Sequence, residues 1–188
     1  MLKDHLRPSH AAPDQRYSSV AIALHWLLAL AIVATFGLGL YMADLPFSLT
    51  RLKLYNWHKW AGVSILTLSA LRLVWRLLRR PPPPPAGPAW QQRAGHLVHA
   101  LMYAAFFAVP LTGWAYSSAA GFPIVWFGVL PLPDFVPVDK PLAAALKESH
   151  EAAAWALALL VGLHLAAVLK HQLVDRDGVL LRMLPGRD

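Results

Sequence analysis

Four long apolar stretches, separated by polar or proline-rich connections, dominate the chain. They run from about Tyr17 to Met42, Trp57 to Leu78, Gly95 to Ala119 and Leu142 to Val174. Each reaches the roughly 20 residues with which a helix crosses about 30 Å of hydrocarbon. Helices are expected because an open strand in lipid leaves backbone N–H and C=O groups unpaired. The fourth stretch is the longest and is expected to start as an amphipathic segment outside the bilayer. Asp139, just before Pro141, reads as its start signal. Pro110, with Gly113 after it, predicts a kink in the third helix. The fold class that follows is all-α: an integral membrane four-helix bundle.

The connections differ in character. Residues 1–16 are polar and read as a short tail, not a signal peptide, because the following apolar run is too long and lacks a clear cleavage site. Asp44–Asn56 is a short link. Arg79–Ala94 carries Pro81 to Pro85, a stiff extended spacer. Ala120–Pro141 is proline-rich and aromatic, with Trp126 and Phe127 suited to a membrane interface. The organisation expected is a tail (1–16), a bundle (17–175) and a C-terminal tail (176–188).

Composition narrows the class. Hydrophobic residues make up 57% and charged residues 14%, against about 25% charged in an average soluble domain. There is no cysteine, which excludes disulfides, thiolate-held clusters and covalently attached c-type haem. The nine histidines become the metal-ligand pool. The net charge of +7 does not point to nucleic acid, because its meaning lies in where the charges sit. With the N-terminus inside, 12 basic residues fall on the inner side: Lys3, Arg7, Arg16, Arg72, Arg76, Arg79, Arg80, Arg93, Lys170, Arg176, Arg182 and Arg187. Five fall outside: Arg51, Lys53, Lys59, Lys140 and Lys147. Both termini are therefore expected in the cytoplasm.

Depth sorts four histidines into two pairs. His25 lies about 12 Å from the inner end of the first helix at 1.5 Å per residue, and His164 reaches a similar depth in the fourth. His58 and His150 both lie toward the outer side. His150 and His164 are 14 residues apart, about 21 Å along the axis and within about 40° of one face. One helix thus offers two imidazoles, one toward each surface, and the first and second helices supply partners. Two axial imidazoles on facing helices suit a b-type haem. Gly37, Gly39, Gly62 and Gly162 are candidates to admit a flat ring. A lone intramembrane histidine is also a common helix–helix hydrogen-bond partner; the pairing across three helices argues for iron. Zinc is disfavoured, since it takes three or four protein ligands and each cluster has two.

Other residues have two readings each. His96 and His99, at the inner end of the third helix, are rival ligands, quinone contacts or interfacial hydrogen-bond partners. His171, two turns beyond His164, is either a proton donor to a quinone headgroup or a solvated helix-end cation. Haem propionates need cationic partners: Arg72, Arg76 and Arg16 on the inner side, and Lys53, Lys59, Lys147 and Asn56 on the outer. Each arginine is equally readable as a positive-inside flank.

Several segments resemble the bacterial cytochrome b561 family over roughly residues 16–186. They are Ile22–Ala23–Leu24–His25–Trp26–Leu27, His58–Lys59–Trp60–Ala61–Gly62, His96–Leu97–Val98–His99, Val109–Pro110–Leu111–Thr112–Gly113, Ser149–His150–Glu151, Gly162–Leu163–His164 and Leu180–Leu181–Arg182–Met183–Leu184–Pro185. The resemblance implies four transmembrane helices, two b haems held by His25, His58, His150 and His164, and electron exchange with ubiquinone beside His171. One branch of the family oxidises superoxide at the outer face. The outer cations Arg51, Lys53, Lys59, Lys140 and Lys147 suit attraction of a small anion, or bind propionates or lipid headgroups. The chain departs from some relatives in its unbroken proline run and the alanine-rich start of its fourth helix.

Three functions follow for testing. The first is a stand-alone oxidoreductase passing electrons from superoxide, or another outer donor, to ubiquinone. The second is an electron-transfer subunit for a partner dehydrogenase or hydrogenase; related cytochromes in that role usually carry an extra helix or more haem ligands. The third is a non-haem transporter.

Overall fold

The computed structural model describes residues 16–85 and 87–186. The expected N-terminal tail, with Lys3, His5, Arg7 and His10, lies outside the described residues apart from Arg16, and so does Arg187. Four long helices dominate: α1 (Ser19–Ala43), α2 (Leu49–Leu78), α3 (Ala89–Ala119) and α4 (Lys140–Lys170). All four are long and apolar enough to cross a membrane.

Local chemistry sets the ends. The Ser18 hydroxyl accepts from the Ala21 N–H at 3.4 Å, that of Ser48 from Arg51 at 3.2 Å, and the Asp139 carboxylate from Leu142 at 2.7 Å. Each satisfies an otherwise orphaned first-turn donor. These caps place α2 at Leu49, before the expected Trp57, and α4 at Lys140. α3 begins at Ala89, before the expected Gly95, with Pro88 at its N-cap. The helices are longer than their apolar stretches because capping chemistry, not hydropathy, decides where a helix starts. α3 runs through Pro110 as one continuous helix. α4 ends in a π-helical turn, His171–Asp175, followed by Arg176 in the left-handed region (φ 51°) and a 3₁₀ turn, Leu180–Arg182.

The α3–α4 connection holds an element that the hydrophobic pattern did not reveal. β1 (Val125–Trp126) and β2 (Leu130–Pro131) form a small antiparallel hairpin. Phe127 (φ 51°) and Gly128 (φ 73°) turn it, and the Val129 N–H closes the turn on the Trp126 carbonyl at 3.1 Å. Positive φ at both central residues is the turn whose twist matches paired strands. The hairpin is pinned to α2. The Trp60 indole N–H donates to the Val125 carbonyl at 2.6 Å, and the Trp126 indole N–H lies 3.3 Å from both the Trp60 carbonyl and the Ser64 hydroxyl.

Each helix gives one residue to the central core: Leu28, Ile65, Phe106 and Leu157, with Ile32, Leu68, Met102 and Val161 packed around them. Outward positions such as Leu30, Val33, Leu159 and Leu163 are exposed apolar side chains, as a lipid-facing surface requires. α1 packs chiefly on α2, and α3 on α4.

Candidate haem-binding site

Histidines from different helices meet at two levels of the bundle. His25 of α1 and His164 of α4 face each other with ring centres 6.3 Å apart and planes at 65°. His58 of α2 and His150 of α4 do so at 6.1 Å and 86°. All four are half-buried. Two imidazoles bound on opposite sides of one metal, at about 2 Å per bond plus about 1 Å from nitrogen to ring centre, have centres about 6 Å apart. Both pairs have that spacing.

The outer pair shows how the rings are held. His150 Nδ1 lies 2.9 Å from the Val109 carbonyl and 3.4 Å from the Thr112 hydroxyl. A carbonyl only accepts, so Nδ1 carries the proton and Nε2 keeps its lone pair for a metal. Gly113 makes this approach feasible. A Cβ there would stand 2.9 Å from His150 Cε1. Gly39 does the same on the other side, where a Cβ would come within 3.1 Å of His58 Cε1. His58 Nδ1 is buried without a hydrogen-bond partner, beside the backbone of Thr35. Gly39 was expected to admit a flat ring and here admits an imidazole. Gly113, read from the sequence only as accompanying a kink at Pro110, is the residue that sequence reasoning missed; its spacing of three from Pro110 masked it. At Gly37, Gly62 and Gly162 a Cβ would meet no protein atom within 4 Å.

The inner level contains a third ring. His99 of α3 is 5.4 Å from His164, closer than His25. Arg72 lies within electrostatic reach of His25, His99 and His164, and its guanidinium donates to the Ala21 carbonyl at 3.2 Å. Arg76 lies over the Tyr103 ring at 5.5 Å. His171 begins the π-helical turn, with Nδ1 2.6 Å from Asp177 Oδ2 and 3.3 Å from Asp175 Oδ2. Its imidazole is thus paired with two carboxylates.

At the outer end, Lys59 directs its ammonium to the Phe122 and Pro123 carbonyls, at 3.4 and 3.5 Å. Lys147 pairs with Glu151 at 3.0 Å, both half-exposed. Arg51 donates to the Tyr55 hydroxyl at 3.4 Å.

Facing imidazoles at haem-like spacing in an apolar bundle agree with what the chain matches. The model of the prokaryotic cytochrome b561 family covers residues 16–186. The chain belongs to that family. It is therefore a bacterial multi-pass membrane cytochrome that carries b-type haem and takes part in electron transport. It is 33% identical to cytochrome b561 homolog 1 of Escherichia coli (strain K12), over 92% of this chain and 98% of that protein. It is 31% identical to cytochrome b561 homolog 2 of the same organism, over 90% and 92%. It is 30% identical to the "Probable superoxide oxidase CybB" of Yersinia pestis, over 91% and 97%.

The residues on hand fit the cofactor. Two imidazole pairs have the spacing of imidazoles across one metal, and a backbone carbonyl sets the tautomer of His150 so that Nε2 is free to bind one.

Proposed function

We propose that this cytochrome b561 holds two b haems, one between His25 and His164 and one between His58 and His150, and oxidises superoxide at one face of the bacterial inner membrane while reducing ubiquinone at the other. The observation that carries the reading is the pair of imidazole couples at 6.3 and 6.1 Å on one shared helix. Haem b supplies a reversible one-electron carrier. Overall, two superoxide anions give two electrons to one ubiquinone, which takes up two protons to become ubiquinol, and two molecules of dioxygen leave.

The chain's own residues have distinct parts. Val109 orients His150 by accepting its Nδ1 proton. Arg72, anchored on Ala21, is placed to balance propionate charge at the inner level. Lys59, beside His58 in α2, offers a cation where a small anion would arrive. His171, paired with Asp177, is placed to deliver a proton at the inner side. Both termini lie in the cytoplasm in this reading, following the excess of basic residues on that side. The resemblance to the Yersinia pestis protein supports superoxide as the donor.

The decisive experiment is the absorption spectrum with haem stoichiometry, repeated for His150→Ala and His164→Ala. Two haems per chain are expected in the native protein and one in each variant. A colourless native protein made with ample haem would end the reading. Superoxide must then reduce the bound haem promptly and sustain ubiquinol formation; a requirement for a co-purifying subunit would assign the chain to a larger complex instead.

A further inference from the structure

A cavity of about 1130 Å³ lies beside Arg72 at the inner level and is not lined by the inner imidazoles. It exceeds the roughly 300–1,000 Å³ of a small-molecule pocket, so it suits a large ligand. Five arginines line it, Arg16, Arg72, Arg76, Arg79 and Arg80, and no carboxylate does. Among the described residues, none of these five is in an ion pair.

The cavity has a charged end and an apolar end. Leu27 and Leu30 of α1 form one wall and are 55% and 67% exposed. Such exposure suits side chains that face lipid. Trp26 and Trp75 also line the cavity, and indoles are favoured at membrane interfaces.

The charged end is built. Arg16 is fixed by donation to the Leu184 carbonyl at 2.9 Å. Arg79 lies over the Trp75 ring at 5.8 Å. The Trp26 indole N–H donates to the Met183 carbonyl at 2.7 Å, so the returning C-terminal segment forms part of the lining. A guanidinium has five donors, and one bond to a carbonyl leaves most of them for a ligand.

We propose that this cavity binds one anionic diacyl phospholipid. Its phosphodiester sits on Arg16, Arg79 and Arg80, and one acyl chain lies along Leu27 and Leu30. The charge argues against other occupants. A quinone ring is neutral and offers nothing to balance the four guanidiniums left when Arg72 is given to a propionate. In the proposed function the haem propionates fall to Arg72, whereas Arg79 caps the end of α2 seven residues farther on, about 10 Å beyond it. Basic pockets between helices at a membrane surface are where anionic headgroups bind. The site rests on membrane placement and on the proposed pairing of Arg72 with the inner haem, not on the route of electrons.

Native mass spectrometry of the haem-loaded protein, delipidated and titrated with phosphatidylglycerol or phosphatidylcholine, tests this. One tightly held phosphatidylglycerol is expected, bound at least tenfold more tightly than phosphatidylcholine. The double variant Arg79→Gln/Arg80→Gln should lose that preference while keeping its haem content and Soret band. Inorganic phosphate should not displace the lipid, because the acyl chain contributes to binding. Equal affinity for the two lipids, an unaltered preference in the double variant, displacement by phosphate, or one-for-one displacement by short-chain ubiquinone would each overturn the proposal.

Discussion

Replacing Gly113 with alanine tests how the outer imidazole pair is held. The new Cβ would lie 2.9 Å from His150 Cε1, 3.0 Å from Nδ1 and 3.6 Å from Nε2. Ordinary carbon contacts need about 3.5–4.0 Å, so the ring must retreat by about 0.6 Å. Retreat from α3 stretches the 2.9 Å contact to the Val109 carbonyl to about 3.5 Å, beyond a useful hydrogen bond. The loss is about 1 kcal/mol, and turning the ring off its rotamer adds about 1 kcal/mol. Together that is roughly a 30-fold weaker outer haem site, at 1.4 kcal/mol per factor of ten. Helix propensity works the other way, since alanine is favoured over glycine by about 1 kcal/mol. The fold should therefore survive while one haem is lost. The assay is extracted haem per chain at limiting haem, alongside the reduced-minus-oxidised spectrum. Gly95→Ala, on the same helix, is the control, because its Cβ meets nothing within 4 Å. Full haem content in Gly113→Ala, or an equal loss in Gly95→Ala, would refute the reasoning.

His99→Ala should keep both haems by extraction, because His25 and His164 have the axial spacing without it; loss of one haem would make His99 a ligand. Asp177→Asn removes the carboxylate charge 2.6 Å from His171 and leaves only an amide oxygen, so on the proposed function ubiquinol formation should slow several-fold with haem content unchanged, as read by stopped-flow absorbance. Trp60→Phe leaves the Val125 carbonyl without its 2.6 Å donor at a cost of about 1 kcal/mol, and residues 124–132 should exchange amide hydrogen faster while the four helices remain protected.

The bundle and its imidazole pairs were legible for a simple reason. A fixed rise of 1.5 Å per residue converts sequence position into depth, so His25 with His164 and His58 with His150 could be matched before any coordinates. Helix ends were less legible, because hydropathy marks what lipid can touch. Ser48 and Asp139 mark where the backbone begins to pair, outside that zone. The position of His99 was lost to the same effect. With α3 read from Gly95 it sits four residues in, about 6 Å; from Ala89 it is ten residues in, about 15 Å. The hairpin had no usable signature, since each strand has two residues and Phe127 occupies a backbone region that phenylalanine rarely adopts. Gly113 illustrates the remaining limit: its contact with α4 depends on how two distant helices rotate against each other.

The packing of α1 on α2 and α3 on α4 divides the bundle into two leaves, and each imidazole couple reaches from one leaf to the other. Leu28, Ile65, Phe106 and Leu157 already join the leaves at their centre. A haem held by either couple would add a clasp toward one end, so that each cofactor taken up during biogenesis would tighten a bundle that its apolar core has closed.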